Sequence, residues 1–203
     1  MTYDKLKVLV SAILAGICIG IGCNIYLSCD NKYIGAALFS VGLITILTFG
    51  FNLYTGKVGY IIENDLSFVI DVLIILLGNI IGCSLFGLAF QSNIAAEICI
   101  AKLSNSTMMT LYKSIMCGIL MFIAVDSYKV NQNFILTFLC IPVFILSGYE
   151  HSIADIIYFI MGRIDCSLYL RFIVIVIIGN AIGGMIIPIW RKCIQNKIIK
   201  EKL

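Results

Sequence analysis

Apolar residues fall in long blocks along this chain, and polar residues cluster in the short gaps between them. The blocks cover residues 8–27, 33–51, 68–90, 108–125, 134–161 and 172–190. Each approaches or exceeds the roughly 20 apolar residues that carry a helix across a bilayer. The pattern predicts an all-α integral membrane protein with six transmembrane helices. Two blocks are interrupted. The second ends in Asn52-Leu53-Tyr54-Thr55-Gly56-Lys57, and the fifth contains Gly148-Tyr149-Glu150-His151-Ser152-Ile153-Ala154-Asp155. Glu150, His151 and Asp155 then lie at membrane depth. Ionisable groups cost about 2.5–3.5 kcal/mol each there on insertion scales, so they face a cavity or a partner. Broken helices at that depth line water-filled paths in transporters. Residues 91–107, 126–133 and 163–171 read as polar connections, the first carrying Glu97 and Lys102.

The two breaks belong to a repeat. Gly78-Asn79-x-Ile81-Gly82 recurs as Gly179-Asn180-x-Ile182-Gly183, at an offset of 101 residues. Ile13-Leu14-Ala15-Gly16-Ile17 aligns with Ile115-Met116-Cys117-Gly118-Ile119 at 102, and Thr55 with His151 at 96. The period is half the chain, so each half holds three spans with the middle one broken. An odd number of spans forces the second half to insert upside down. The expectation is one transmembrane channel domain over 1–203, built from inverted repeats of about 1–100 and 101–203.

Composition agrees with the pattern. The chain is 61% hydrophobic and 12% charged, against about 45–50% and 25% for soluble domains. Six spans nearly fill 203 residues, which leaves no room for a soluble catalytic domain. No nucleophile triad, metal cluster, cofactor motif or phosphate-binding glycine loop is present, so the chain is read as no enzyme, with no cofactor and no metal. A net charge of +3, concentrated near the ends, excludes a nucleic-acid partner. The nine cysteines contain no Cys-x-x-Cys pair and read as small packing residues. The first block is too long for a signal peptide's apolar region and reads as a retained span.

Lysine and arginine placement sets the orientation. With the N-terminus inside, Lys5, Lys7, Lys57, Lys129, Arg191, Lys192, Lys197, Lys200 and Lys202 lie on the inner side. Lys32, Lys102, Lys113, Arg163 and Arg171 lie outside. Nine against five places both termini in the cytoplasm of a multi-pass protein of the cell inner (plasma) membrane. Trp190 falls at the interface, and the C-terminal basic residues act as an anchor.

These landmarks together resemble the formate/nitrite transporter family. The resemblance rests on Gly148-Tyr149-Glu150-His151-Ser152-Ile153-Ala154 in span five, both glycine-asparagine motifs, the Leu53-Tyr54-Thr55-Gly56 break and Lys102 before span four. It implies an aquaporin-like protomer assembled as a homopentamer in the lipid bilayer. Each protomer would have its own pore for small monovalent anions of weak acids: formate, nitrite or hydrosulfide. It maps the family site to Thr55, Lys102 and His151. Three positions depart from the family pattern, since Gly118, Asp155 and Lys57 stand where asparagine is usual. At Gly118 the departure removes an expected partner of the histidine, and restoring Asn there is expected to shift selectivity.

His151, the only histidine, is the candidate gate and proton partner. An anion entering an apolar constriction is driven toward its neutral acid, because desolvation disfavours charge. Lys102 would concentrate anions in an outer vestibule. Thr55 offers a hydroxyl at a helix break. Leu53 and Phe144 are candidate constrictions, with Leu43 beside them. Glu150 is expected to brace backbone N–H groups of the broken helix, and Asp155 to pair with His151 or Lys57. Asn79 and Asn180 stand behind the site in support. The alternative is an aquaporin-like neutral-solute pore, opposed by the lack of paired Asn-Pro-Ala; the only prolines are Pro142 and Pro188.

Overall fold

The computed structural model describes residues 3–201. Nine α-helices follow one another: α1 (Tyr3–Ser28), α2 (Lys32–Phe49), α3 (Tyr54–Lys57), α4 (Leu66–Ala89), α5 (Asn93–Leu103), α6 (Thr107–Asn131), α7 (Ile135–Leu146), α8 (Ser152–Met161) and α9 (Cys166–Glu201). A 3-10 turn, Val58–Glu63, continues from α3. Five helices (α1, α2, α4, α6 and α9) are long and apolar enough to cross a membrane, and α7 and α8 are shorter apolar helices. The protein is therefore a multi-pass membrane protein. Leu73, Leu77, Leu85 and Leu88 on α4 and Val174, Ile178 and Ile186 on α9 stand exposed, as lipid-facing or subunit-facing positions require.

Local chemistry sets the helix ends. The Asn31 side chain accepts from Tyr33 and Ile34 N–H and starts α2. Ser92 and Ser106 cap α5 and α6 in the same way. The two helices before the breaks stop alike. Gly50 takes φ +69° after α2, and Phe51 N–H bonds back to Ile46 carbonyl at 2.9 Å. Gly148 takes φ +64° after α7, and Tyr149 N–H bonds back to Phe144 carbonyl at 3.0 Å. Glycine carries no Cβ penalty in this left-handed conformation, which closes the last turn and releases the chain sideways.

Packing follows the repeated glycines. α1 lies along α4 and α6 along α9, the two most extensive helix pairs. Gly82 abuts the Ile13 carbonyl and Gly183 the Ile115 carbonyl, so a methyl group at either position would overlap backbone. Gly16 meets the Asn79 carbonyl in the first pair, and Gly118 meets the Asn180 carbonyl in the second. Small residues let helix backbones approach where lipid supplies no hydrophobic drive to associate.

Three connections differ from the sequence expectation. Residues 93–103 of the first connection form α5. α6 runs on to Asn131, through the expected turn at 126. α9 begins at Cys166, inside the expected loop. Asp126 remains helical because its carboxylate is satisfied. Arg191 donates to both oxygens, at 3.0 and 2.5 Å, and Tyr60 hydroxyl donates at 3.0 Å. Trp190 is exposed. All nine cysteines are free thiols. Lys202 and the side chains of Lys197 and Lys200, part of the expected basic anchor, lie outside the described residues.

Candidate functional site

Two asparagines hold the broken segments in place. Asn79 on α4 accepts from Tyr54 N–H at 2.8 Å and donates to the carbonyls of Ala12 and Asn52 at 2.8 and 2.9 Å. Asn180 on α9 accepts from Ser152 N–H at 2.9 Å and donates to the carbonyls of Ser114 and Glu150, both at 2.8 Å. Each side chain thus caps the first N–H of a short helix and ties down a carbonyl of the preceding break. Both are fully buried. A break in the helical ladder leaves backbone groups that water cannot reach in hydrocarbon, and these amides satisfy them.

Held this way, the two breaks meet. Thr55 Oγ1 lies 3.0 Å from His151 Nε2. His151 is the N-cap of α8, and its Nδ1 accepts from Ala154 N–H at 3.2 Å. A nitrogen that accepts carries no proton. The neutral ring therefore bears its hydrogen on Nε2 and donates it to Thr55. Both side chains are buried.

Cavities lie on either side of this pair. One, of about 260 Å³, is lined by Lys102, Lys113, Phe144, Glu150 and Asp155 among others. Phe144 separates it from the histidine, with ring centroids 5.6 Å apart, and is itself braced edge-on by Phe39. The other, of about 360 Å³, is lined by Leu43, Leu53, Gly56, Lys57 and Lys129 among others. Leu53, buried and two residues before Thr55, closes it off. Lys113 and Lys129 are sixteen residues apart on one helix, α6, so the cavities open about 24 Å apart at 1.5 Å per residue.

The first cavity is not the open basic vestibule expected. Lys102 sits on α5 with its side chain 14% exposed, and its ammonium bonds Glu150 Oε2 and, at 2.9 Å, Asp155 Oδ1. Glu150 therefore clamps the lysine and does not brace backbone N–H groups. Asp155 pairs with Lys102, and neither with His151 nor with Lys57. Sequence spacing put Asp155 one turn from His151, but the partner comes from a helix that the polar pattern concealed. Asp155 Oδ2 and Ser152 Oγ are buried without a hydrogen-bond partner among the described residues.

Gly118 requires a correction. It lines neither cavity. Its α-carbon packs on the backbone of Asn180, where any side chain would overlap the carbonyl. An asparagine there has no room to reach His151. Of the other expected site residues, Lys102 and Phe144 line the first cavity, Leu53 lines the second, and Thr55 and His151 meet each other. The Asp126–Arg191–Tyr60 cluster went unread because each member looks like a polar boundary residue by itself.

A buried polar pair at the crossing of two broken segments, with cavities beside it, marks a membrane transport protein. The profile of the formate/nitrite transporter family matches residues 1–192, and the chain belongs to that family. The nitrite transporter NirC of Escherichia coli (strain K12) is 24% identical over 182 residues, covering 75% of this chain and 67% of its own. NirC of Shigella flexneri matches equally. Two solved structures share the fold. An FNT family ion channel superposes with TM-score 0.80 at 21% identity, covering 92% of this chain and 90% of its own. A pentameric formate channel with formate bound superposes with TM-score 0.77 at 21% identity, covering 95% and 98%.

Proposed function

We propose that the chain is a channel for small monovalent anions of weak acids, such as formate, nitrite or hydrosulfide. The observation that carries this reading is the Thr55–His151 hydrogen bond, which joins the two breaks beside residues that line one cavity or the other, Phe144 for the first and Leu53 and Gly56 for the second. In the resting arrangement Thr55 accepts the Nε2 hydrogen. An anion that displaces Thr55 takes over that donor. A hydrogen bond to a charged partner is worth about 1.5–3 kcal/mol, enough to offset part of the desolvation that Phe144 and Leu53 impose. Neutral His151 acts on the anion as a hydrogen-bond donor. Passing a proton to it requires the imidazolium, which forms when Nδ1 takes a proton from water in place of its bond from Ala154 N–H, and the ring returns to neutral when Nε2 gives its proton up.

The layout we propose is six spans as two inverted repeats within one domain. It is supported by the matched pairs α1–α4 and α6–α9, by Asn79 and Asn180 in like roles, and by the paired glycine stops. α7 and α8 together supply 22 helical residues, or about 33 Å, enough for the sixth crossing. We place both termini in the cytoplasm and the protein in the inner membrane. The assembly proposed is a homopentamer, as in the solved formate channel. Its protein mass should be five times 22.4 kDa, and native mass spectrometry that shows monomers or tetramers alone would exclude it.

One observation favours the neutral-solute alternative. Lys102 is matched by two carboxylates, so its mouth holds no net attraction for anions. Stopped-flow flux into proteoliposomes separates the readings. Nitrite, formate or hydrosulfide should cross rapidly and glycerol should not. Glycerol flux without anion flux would replace the anion channel by a neutral-solute pore.

A further inference from the structure

The two cavities differ in charge. The first carries Lys102 and Lys113 against Glu150 and Asp155, which balances to zero with every group ionised. The second carries Lys57 and Lys129, and no acidic residue lines it. Each acid nearby is otherwise engaged. Asp126 is taken by Arg191 through two bonds and by Tyr60 hydroxyl. Glu63 and Asp65 face a separate recess with Arg191 and Lys192. Lys129 rests over the Tyr60 ring, its ammonium 4.1 Å from the centroid. Lys57 is half-buried, and no ion pair reaches it among the described residues.

A charge withdrawn from water is stable only when it is paired. Lys57 is partly withdrawn from water while Lys129 is exposed, and together they present two positive charges to one concave, partly apolar space with no acidic residue on its walls. Leu43, Leu53 and Phe51 on the same walls lower the local dielectric and focus the field of the lysines. The cavity is large enough for a small anion with some of its water, and it ends at Leu53, two residues from Thr55.

We propose that Lys57 and Lys129 form a loading subsite for a small monovalent anion, and that this mouth supplies the attractive field that the Lys102 mouth lacks. The proposal rests on the anion-channel reading and assigns the field to one end of the pore. Lysine placement puts that end on the side of the N-terminus. The subsite then collects anions on the cytoplasmic face and feeds them toward Leu53.

Thiol chemistry reads this field without reference to transport. No native cysteine lines the cavity, whereas Phe68 and Leu47 do. In Phe68→Cys protein, the rates of an anionic and a cationic methanethiosulfonate reagent are followed at that residue by mass spectrometry. A neutral reagent of the same size corrects for access. The anionic reagent should react about tenfold faster than the cationic one, as a focused field implies. Lys57→Gln with Lys129→Gln should bring the ratio near one, and Lys102→Gln should leave it unchanged. A ratio at or below one in the parent, or one that the double substitution does not move, overturns the subsite. Leu47→Cys serves if Phe68→Cys does not fold. In proteoliposomes, the double substitution should raise KM for nitrite from this face several-fold with kcat kept. Absence of nitrite flux in the unsubstituted protein would remove the transport reading, while the reagent ratio would still decide the field.

Discussion

Asp155 shares Lys102 with Glu150, and its second oxygen has no hydrogen-bond partner among the described residues. Two carboxylates on one ammonium leave an excess negative charge beside it, which the half-exposed Lys113 offsets across the cavity. Asp155→Asn keeps an oxygen for the lysine and removes that excess. Nitrite KM from this mouth should then fall several-fold, toward the roughly tenfold gains that a charged cleft gives. An unchanged or higher KM would show that the mouth's charge does not govern entry. Much of this residue-scale site was legible in sequence. His151 and Thr55 stand out in sequence as an ionisable and a small polar residue at breaks in apolar blocks, whereas Lys102 is marked by the family resemblance and Leu53 and Phe144 by their nearness to those breaks. The pairings were not legible. Lys102 meets Glu150 and Asp155 across 48 and 53 residues, and no local spacing encodes that contact.

At the scale of elements, the asparagine clamps separate structure from selectivity. Asn180→Ala leaves Ser152 N–H and the Ser114 and Glu150 carbonyls without their partner in the protein interior. Each unsatisfied group costs about 1–3 kcal/mol, so the loss should be ~3 kcal/mol or more. Thermal unfolding in detergent checks it, and a loss under about 1 kcal/mol would mean that water or relaxation replaces the clamp. Gly118→Asn should likewise lower stability and leave the nitrite-to-formate flux ratio of the surviving protein unchanged. A stable variant with a changed ratio would return Gly118 to the pore. The helices themselves were readable from apolar blocks, because hydrocarbon allows little else. α5 was missed because Glu97 and Lys102 made it look like a loop, and α6 was cut short at Asp126. Burial of a charge depends on the partner it finds, and Arg191 lies 65 residues away.

Across the whole molecule, two helix pairs locked by glycine contacts frame a centre where both breaks touch. The repeat of half the chain length aligns Thr55 with His151 in the sequence, and in the fold these two side chains meet at 3.0 Å. The charge imbalance between the cavities was hidden. In sequence Lys57 and Lys129 are ordinary inner-side residues, 72 positions apart, and only the fold brings them to one cavity. The proposed pore centres on a single atom, the Nε2 hydrogen of His151. Nitrite flux into proteoliposomes, compared between the parent protein and His151→Ala across pH, tests that centre most directly. Loss of the donor should lower flux about 10- to 100-fold, as the worth of a charge-assisted hydrogen bond implies, and should flatten its pH dependence in protein that is still folded. Equal flux with an unchanged pH profile would contradict the account.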